Sequence, residues 1–384
     1  MNYRIAYITS KDPFDKKVSS GVYYYQSAAL EKYCGKVYFL GPVNNVIINI
    51  IRKSINFLQI FFEKKYKHSH SVIISKIYGR VFSKKLGNGE FDLVFADKAS
   101  CEIAHLKTNT PVIYSTDATF NLLQGYYPGF KKLSGISVRE GNIIEQKAVN
   151  KSSLVICTTK WAASSVQNDY NYPSERIHVL PRGANLDRIP DREIVNKKRK
   201  TSVCRLLFIG KEFKRKGFDI VYKAKEYIRS RGVPVKLVVV GGVPPESFHD
   251  EDMEIIAYID KNTENGINEF DRVMFNSDFL LLPTRAECMA IAICEAAAYG
   301  VPVITTDTGG ISEGIKNGVN GYALKYDSDH TDYGEKIISI FSSDEKYYSL
   351  VRGSRSMFEK TMNWDVWGIN FKRILDRSGI LSQK

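Results

Sequence analysis

The chain has 384 residues, 43% hydrophobic and 25% charged, with a formal net charge of +13 at pH 7. That length exceeds the ~250–300 residues at which single cores stop growing, so two domains are expected, and the composition excludes a disordered or fibrous chain. The positive excess would attract nucleic acid, an anionic membrane surface or phosphorylated substrates alike, and of these nucleic acid is not the expected partner.

The first element, in "MNYRIAYITS", alternates like a strand. It lacks the long apolar run and small-residue cleavage site of a signal peptide. No stretch approaches ~18 uninterrupted apolar residues, so no transmembrane helix is expected. The six cysteines, Cys34, Cys101, Cys157, Cys204, Cys288 and Cys294, are scattered through apolar runs, as reduced core residues of a cytoplasmic protein would be.

A polar loop, "SKDPFDKKVSSG", ends at Gly21 and leads into a helical stretch, "VYYYQSAALEKYC". "KVYFLGP" reads as a second strand. Residues 44–90 then mix aliphatic and aromatic residues with Arg52, Lys53, Lys64, Lys65, Lys67, Lys76, Arg80, Lys84 and Lys85. Ile47, Ile51, Ile55, Leu58 and Phe62 recur at helical spacing. Either this is an amphipathic basic helix docked on an anionic bilayer, or it is a domain helix with solvated lysines.

"FDLVFADKA", "PVIYSTDA" and "SLVICTT" continue as buried strands, with helical "GNIIEQKAVNK" among them. "RIPDREIVNKKRKTS" reads as an interdomain linker. The pattern then restarts with "CRLLFIGKE", helical "KGFDIVYKAKEYIRSRG", "VKLVVVGG", "FLLLP", "VPVITTD" and a last long helix. Strands alternating with helices give an α/β fold of two doubly wound, Rossmann-like domains facing a cleft. In such sheets ligands bind outside the carboxyl ends of strands.

Several chemistries are missing. There is no Walker loop, "LGNGEF" does not complete a dinucleotide fingerprint, and "HSH" at 68–70 is a poor metal site by itself. The D-x-D strings at Asp250–Asp252 and Asp327–Asp329 fit a divalent metal in principle, but short acidic pairs in loops are usually solvated. No metal site is therefore expected.

Two segments carry more. "FIGKEFKRKGFD" places Gly210 at a strand end, then Lys211, Lys214, Arg215 and Lys216 before a helix expected to begin at Gly217. A glycine admits close approach, and lysines at a helix start suit a phosphate. "RAECMAIAICEAAAYG" (285–300) reads as a buried helix bearing Glu287 and Glu295, about two turns (~12 Å) apart.

The E-x7-E spacing, the small-residue helix, "VPVI" and the "TGG" loop together resemble the retaining nucleotide-sugar glycosyltransferases of family GT4, which have the GT-B fold. "SSGVYYYQSAALEKY", "YSTDATF", "VLPRGANLD", "IGKEFKRKG", "VNGYAL" and "TMNWDVWG" are similar to further family segments in the right order. The resemblance implies an N-terminal acceptor domain over 1–187, a donor domain over 188–362, and a final helix over 363–384 crossing back.

It implies roles as well. Glu287 would lie near the donor sugar, with the amides of Cys288, Met289, Ala290 and Ile291 facing sugar and phosphate. Glu295 would accept from the ribose hydroxyls. Lys216 and Lys211 would neutralise the diphosphate beside Gly210, Gly21 would admit the β-phosphate, and Asp117 would lie beside the sugar or acceptor. Two departures are Thr116, where many members have histidine, and Cys288-Met289-Ala290, where the family is glycine-rich.

The implied reaction is retaining, metal-independent and cofactor-free, with a UDP- or GDP-linked donor and a glycan or lipid-linked acceptor. Glu287 serves in it for positioning and charge rather than covalent catalysis. Cell-surface polysaccharide synthesis at the inner face of the membrane is the expected setting. A GT-B epimerase or phosphorylase, or a non-catalytic binding protein, is the alternative.

Overall fold

The structure, a computed structural model, describes residues 2–61, 63–87 and 91–381. The chain divides into a unit of Met1–Pro181 with Trp367–Lys384 and a unit of Arg182–Val366.

The first unit runs β1 (Tyr3–Ile8), α1 (Val22–Tyr33), β2 (Gly35–Phe39), α2 (Val46–Leu58), α3 (Val72–Leu86), β3 (Leu93–Asp97), α4 (Ser100–Ile103), β4 (Val112–Thr116), α5 (Phe120–Leu123), α6 (Gly135–Lys151), β5 (Leu154–Cys157), α7 (Lys160–Asn168) and β6 (Ile177–Val179). Its strands pair in the order β2-β1-β3-β4-β5-β6, all parallel. Residues of β3, β4 and β5 are buried throughout, which explains their unbroken apolar runs: helices cover both faces. The winding reverses at β1, where Ile5 pairs with Val37 on one side and Leu93 on the other.

The second unit continues with α8 (Arg192–Asn196), β7 (Cys204–Ile209), α9 (Phe213–Lys216), α10 (Phe218–Ser230), β8 (Val235–Val240), β9 (Met253–Ile256), α11 (Glu264–Phe275), β10 (Phe279–Leu282), α12 (Ile291–Ala298), β11 (Val303–Thr306), β12 (Gly321–Leu324), α13 (His330–Phe341) and α14 (Asp344–Lys360). The order is β12-β11-β10-β7-β8-β9, again parallel, and the winding reverses between β7 and β10. Helix α15 (Trp364–Ser378) begins here, and from Trp367 onward it belongs to the first unit.

Leu206, Leu207, Leu280 and Leu281 centre the second core, each stabilising the fold by roughly 1.5–3 kcal/mol. All eight residues of α12 are buried, consistent with a helix apolar around its whole circumference. Thr159 and Thr263 accept from Ala162 N and Gly266 N and so cap α7 and α11, worth about 1 kcal/mol each.

Some expectations give way. The segment 188–202 is not a free linker. It forms α8, buries Val195, and donates from Lys198 Nζ to Ser277 O and from Lys200 Nζ to Phe341 O. Its charge hid one core residue and two lysines used as backbone donors.

In α2 the buried residue is Ile48, off the expected stripe, while Ile47 and Leu58 face outward. Phe62 lies outside the described residues, as does part of "LGNGEF". The helix expected from Gly217 is preceded by α9, which carries the basic residues itself. Asp329 caps α13 in a capping box with Asp332, while Asp250 accepts from the buried Lys225. Among the described residues no group of three or more His, Cys, Asp or Glu side chains is placed to hold a metal ion, and no helix is long and apolar enough to cross a membrane. All six cysteines are buried and unbridged.

Candidate active site

The carboxyl ends of β7 and β10, the strands at which the second sheet reverses, carry the loops that hold the motif residues. This is where open α/β sheets bind ligands. At Gly210 an added Cβ would come within 2.4 Å of Lys216 Cδ. The glycine thus lets the Lys216 stem lie across the strand end. Gly217 has φ 74°, and a Cβ there would sit 1.9 Å from Pro283 O. That contact packs the end of α9 against the β10 loop, which only glycine permits.

Further bonds lace the loops together. Arg285 donates to both Asp219 carboxylate oxygens (2.8 and 2.7 Å) and to Lys214 O (2.7 Å). The Arg285 hydrogen bond holds the Asp219 carboxyl below the usual carboxylate range. Arg285 N donates to Arg215 O at 2.7 Å. So fixed, Arg215 Nη1 reaches Ala286 O (2.7 Å) and Glu287 Oε2 (3.0 Å), while Lys216 Nζ lies 3.2 Å from the same Glu287 oxygen. Arg215 also pairs with Glu212, whose Oε2 accepts from its Nε at 2.7 Å and lies 2.6 Å from its Nη2, so two cations and two carboxylates meet here.

Glu287 therefore sits in a loop, four residues before α12, and is 9% exposed. The expectation of two glutamates spaced two turns apart on one helix is wrong. Residues 285–290 are held by Asp219 and Arg215 in a non-helical path, and the N-cap, Ala290, is extended. Glu295 alone rides on α12. It is 4% exposed, and its Oε1 accepts from Lys261 Nζ at 2.6 Å. Lys261, from the loop after β9, also donates to Asn185 O (3.1 Å).

Cys288, Met289, Ala290 and Ile291 are buried beside Glu287, and Ala290 supplies no side-chain cap, so the first-turn amides carry the positive end of α12. Arg355 Nη1 fixes the other end through Ala298 O (2.8 Å) and Pro190 O (2.7 Å).

The side chain of Lys211 is exposed, with its ammonium 5.3 Å from the Tyr258 ring centroid. Arg215, not Lys211, is the partner that joins Lys216 on Glu287. In the sequence Arg215 is only one of four cations, since a K-R-K run does not say which side chain the single turn of α9 turns inward. Lys261 lies in "YIDKNTENG", where no pattern marks it.

In the first unit, Gly21 is the left-handed N-cap of α1 (φ 86°), in the loop after β1. Asp117 follows β4. Its loop is closed by Thr116, whose Oγ1 donates to Ala118 O (2.8 Å) and accepts from Ala118 N (3.3 Å). Thr119 caps α5 and its Oγ1 meets Ser165 Oγ at 2.6 Å. The Phe120 ring packs on His70, centroids 4.9 Å apart, and against Gly141, where a Cβ would lie 2.2 Å from the ring. Burial pushes the His70 imidazole down to about 3, so it packs as a neutral ring.

Two family models match the chain: Glycosyltransferase Family 4 over residues 59–188, and Glycosyl transferases group 1 over residues 190–357. The chain belongs to the GT4-type glycosyltransferases. Family relatives include a D-inositol 3-phosphate glycosyltransferase of Xylanimonas cellulosilytica, 24% identical over 59% of this chain and 57% of that one. Another is the lipopolysaccharide glucosyltransferase WaaG of Escherichia coli K12, 31% identical over 41% of this chain and 44% of that one. In both, the match spans less than two thirds of the relative. Anabaena HepE, solved in complex with UDP and glucose, has 14% identity and a TM-score of 0.62, covering 98% of this chain and 100% of that one. The two parallel six-stranded sheets are the GT-B architecture of this family.

Proposed function

We propose that the protein transfers a sugar, with retention of anomeric configuration and without a metal, from a UDP- or GDP-linked donor to a glycan or lipid-linked acceptor. The observation that carries this is the placement of Arg215 and Lys216 on a single Glu287 oxygen at the β7/β10 switch point.

Glycosyl transfer leaves negative charge on the departing diphosphate and positive charge at the anomeric carbon. Fixed cations aimed at the diphosphate address the first without a metal, and such a contact is commonly worth 10²–10³ in rate, roughly 2.7–4 kcal/mol. The diphosphate draws Arg215 and Lys216, with the α12 amides of Met289 to Ile291 beside them and Lys211 at the rim. Glu287, released from its cations, orients the sugar and stabilises the anomeric charge. Glu295 takes the ribose through the carboxylate that Lys261 holds. The C1–phosphate bond breaks as the C1–acceptor oxygen bond forms on the same face, and the acceptor proton passes to the departing phosphate oxygen. Gly21 admits sugar or phosphate closely at the first sheet's switch point, and Asp117 faces the acceptor.

A lipid-linked acceptor gains support from α2 and the turn after it. Val46, Ile47, Ile50, Phe57, Leu58, Ile60 and Phe61 are exposed, beside Lys53, Lys64 and Lys65. An apolar face rimmed by lysines suits the inner, anionic face of a bilayer. The relatives named for lipopolysaccharide and inositol phosphate transfer accord with cell-surface glycan synthesis.

The test is release of UDP or GDP from a panel of sugar nucleotides in excess EDTA, with and without glycan and polyprenyl-phosphate-linked acceptors. Slow release to water, faster with acceptor and undiminished by EDTA, is expected. Release abolished by EDTA would contradict the metal-independent reading, and no release from any donor would contradict transfer itself.

A further inference from the structure

The carboxyl ends of β4 and β5 lie side by side, with Thr116 opposite Cys157. After Thr116 come Asp117, α5 and a compact loop over 124–130, and after Cys157 comes α7. Three rings gather where these segments meet. The Tyr126 ring centroid stands 5.4 Å from that of Trp161 and 5.5 Å from that of Tyr127, with interplanar angles of 50° and 69°. All three side chains are half-buried.

The backbone holds the rings in place. Tyr127 N donates to Leu123 O (3.2 Å), and Gly125 N donates to Phe130 O (3.2 Å) from a left-handed turn (φ 69°). Lys67 Nζ donates to Gly129 O at 3.3 Å. Asn121 N donates to Tyr170 Oη at 3.1 Å, and Thr119 Oγ1 ties α5 to Ser165 on α7. Rings fixed before a ligand arrives lose little freedom when it binds.

Their surroundings are polar. Tyr126 and Tyr127 end in hydroxyls, Gln124 Nε2 donates to Asn121 Oδ1 (3.4 Å) just before them, and the exposed Lys160 precedes Trp161. The exposed apolar residues of α2 differ, being mostly aliphatic: Val46, Ile47, Ile50 and Leu58. A lipid chain suits the latter surface. A pyranose suits the former, because its axial C–H bonds meet the negative face of an aromatic ring while its hydroxyls reach a polar rim.

We propose that Tyr126, Tyr127 and Trp161 form a subsite that stacks a pyranose ring of the acceptor, on the strand ends that present Asp117. The inference rests on the transfer proposed above and narrows the acceptor to one that already carries a sugar.

Of the three tryptophans, Trp364 and Trp367 are buried and Trp161 is half-buried, so Trp161 reports on this loop. Fluorescence of the full-length protein, without nucleotide, is titrated with cellobiose, lactose, maltose and chitobiose, and with sorbitol and geranyl phosphate for comparison. At least one disaccharide should shift the emission saturably, whereas sorbitol, which has hydroxyls but no ring face, should not. Tyr126→Ala should weaken that binding about tenfold, and Tyr126→Phe should recover most of it. A response to sorbitol equal to that of the disaccharides, a response to geranyl phosphate alone, or no response to any of them would each overturn the proposal. The wild-type titration needs no variant, so it decides the matter even if Tyr126→Ala does not fold. Absence of nucleotide release from any donor would sink the transfer reading instead, while the titration would still decide whether these rings stack a sugar.

Discussion

Arg215 and Glu287 stand 72 residues apart in the chain and meet at 3.0 Å. Lys216 shares the same carboxylate oxygen at 3.2 Å. Adjacent strands bring the two loops together, and Gly210 and Gly217 supply the room. Glu287 pairs with both cations and Glu212 with Arg215; under the function proposed above, the donor diphosphate competes with Glu287 for them.

That competition gives the first prediction. Glu287→Gln should bind UDP or GDP as tightly as the wild type or more so, while transfer falls by ~10²–10³. Calorimetric titration with turnover on the same samples checks it. Weaker nucleotide binding would show that Glu287 supports the diphosphate rather than competing with it. Lys216→Ala should lose both binding and rate.

Gly217→Ala should destabilise the second unit by at least ~2 kcal/mol, since a left-handed backbone and a Cβ 1.9 Å from Pro283 O are both involved. Urea unfolding reads it. A change below the error of the extrapolation would mean that the α9–β10 contact relaxes freely.

Lys261→Met leaves the Glu295 carboxylate without its cation. A loss of about 2 kcal/mol and a ~10-fold rise in donor KM are expected, with kcat little changed. Lys261→Arg should recover most of the affinity. A fall confined to kcat would place Glu295 at the reacting sugar instead of the ribose.

Much of this was legible in the sequence, though unevenly. Buried parallel strands such as "LVFAD" and "FLLLP" declare themselves because an unbroken apolar run needs no facing information. Glu287, Glu295 and Lys216 were marked by spacing and by neighbouring glycines. The path from Arg285 to Ala290 was not legible, because it is set by Asp219 and Arg215, whose contacts cross to another strand end. The same holds for Lys261, which reaches Glu295 across 34 residues. In α2 the periodicity was real but its phase was set by where Ile48 meets the core, and several faces of an apolar helix fit one sequence.

Stability should also respond to pH through Glu145. Its carboxyl is raised from 4.5 to about 7 in the folded protein. Between those values the folded state binds more protons than the unfolded one, so this contribution is full below ~4.5 and is lost as pH rises to 7. Unfolding free energy of the wild type relative to Glu145→Gln should fall by on the order of 3 kcal/mol across that window. Denaturant unfolding at about pH 4.5, 6 and 8 checks the slope. A flat difference would mean that the carboxyl titrates normally.

The exposed apolar residues of α2 and of the turn after it predict co-sedimentation with vesicles containing anionic lipid. Ile60 is 76% exposed and Phe61 69%, so Ile60→Asp with Phe61→Asp should abolish binding without unfolding the protein. Binding unaffected by the double substitution would remove this face from consideration.

In the proposed function the donor lies at the β7/β10 switch point. Hydrogen exchange of the whole chain with and without saturating UDP or GDP tests this. Protection of residues 208–217 and 283–295 together, reduced in Lys216→Ala, is the predicted result. Nucleotide binding that protects neither segment would contradict the account.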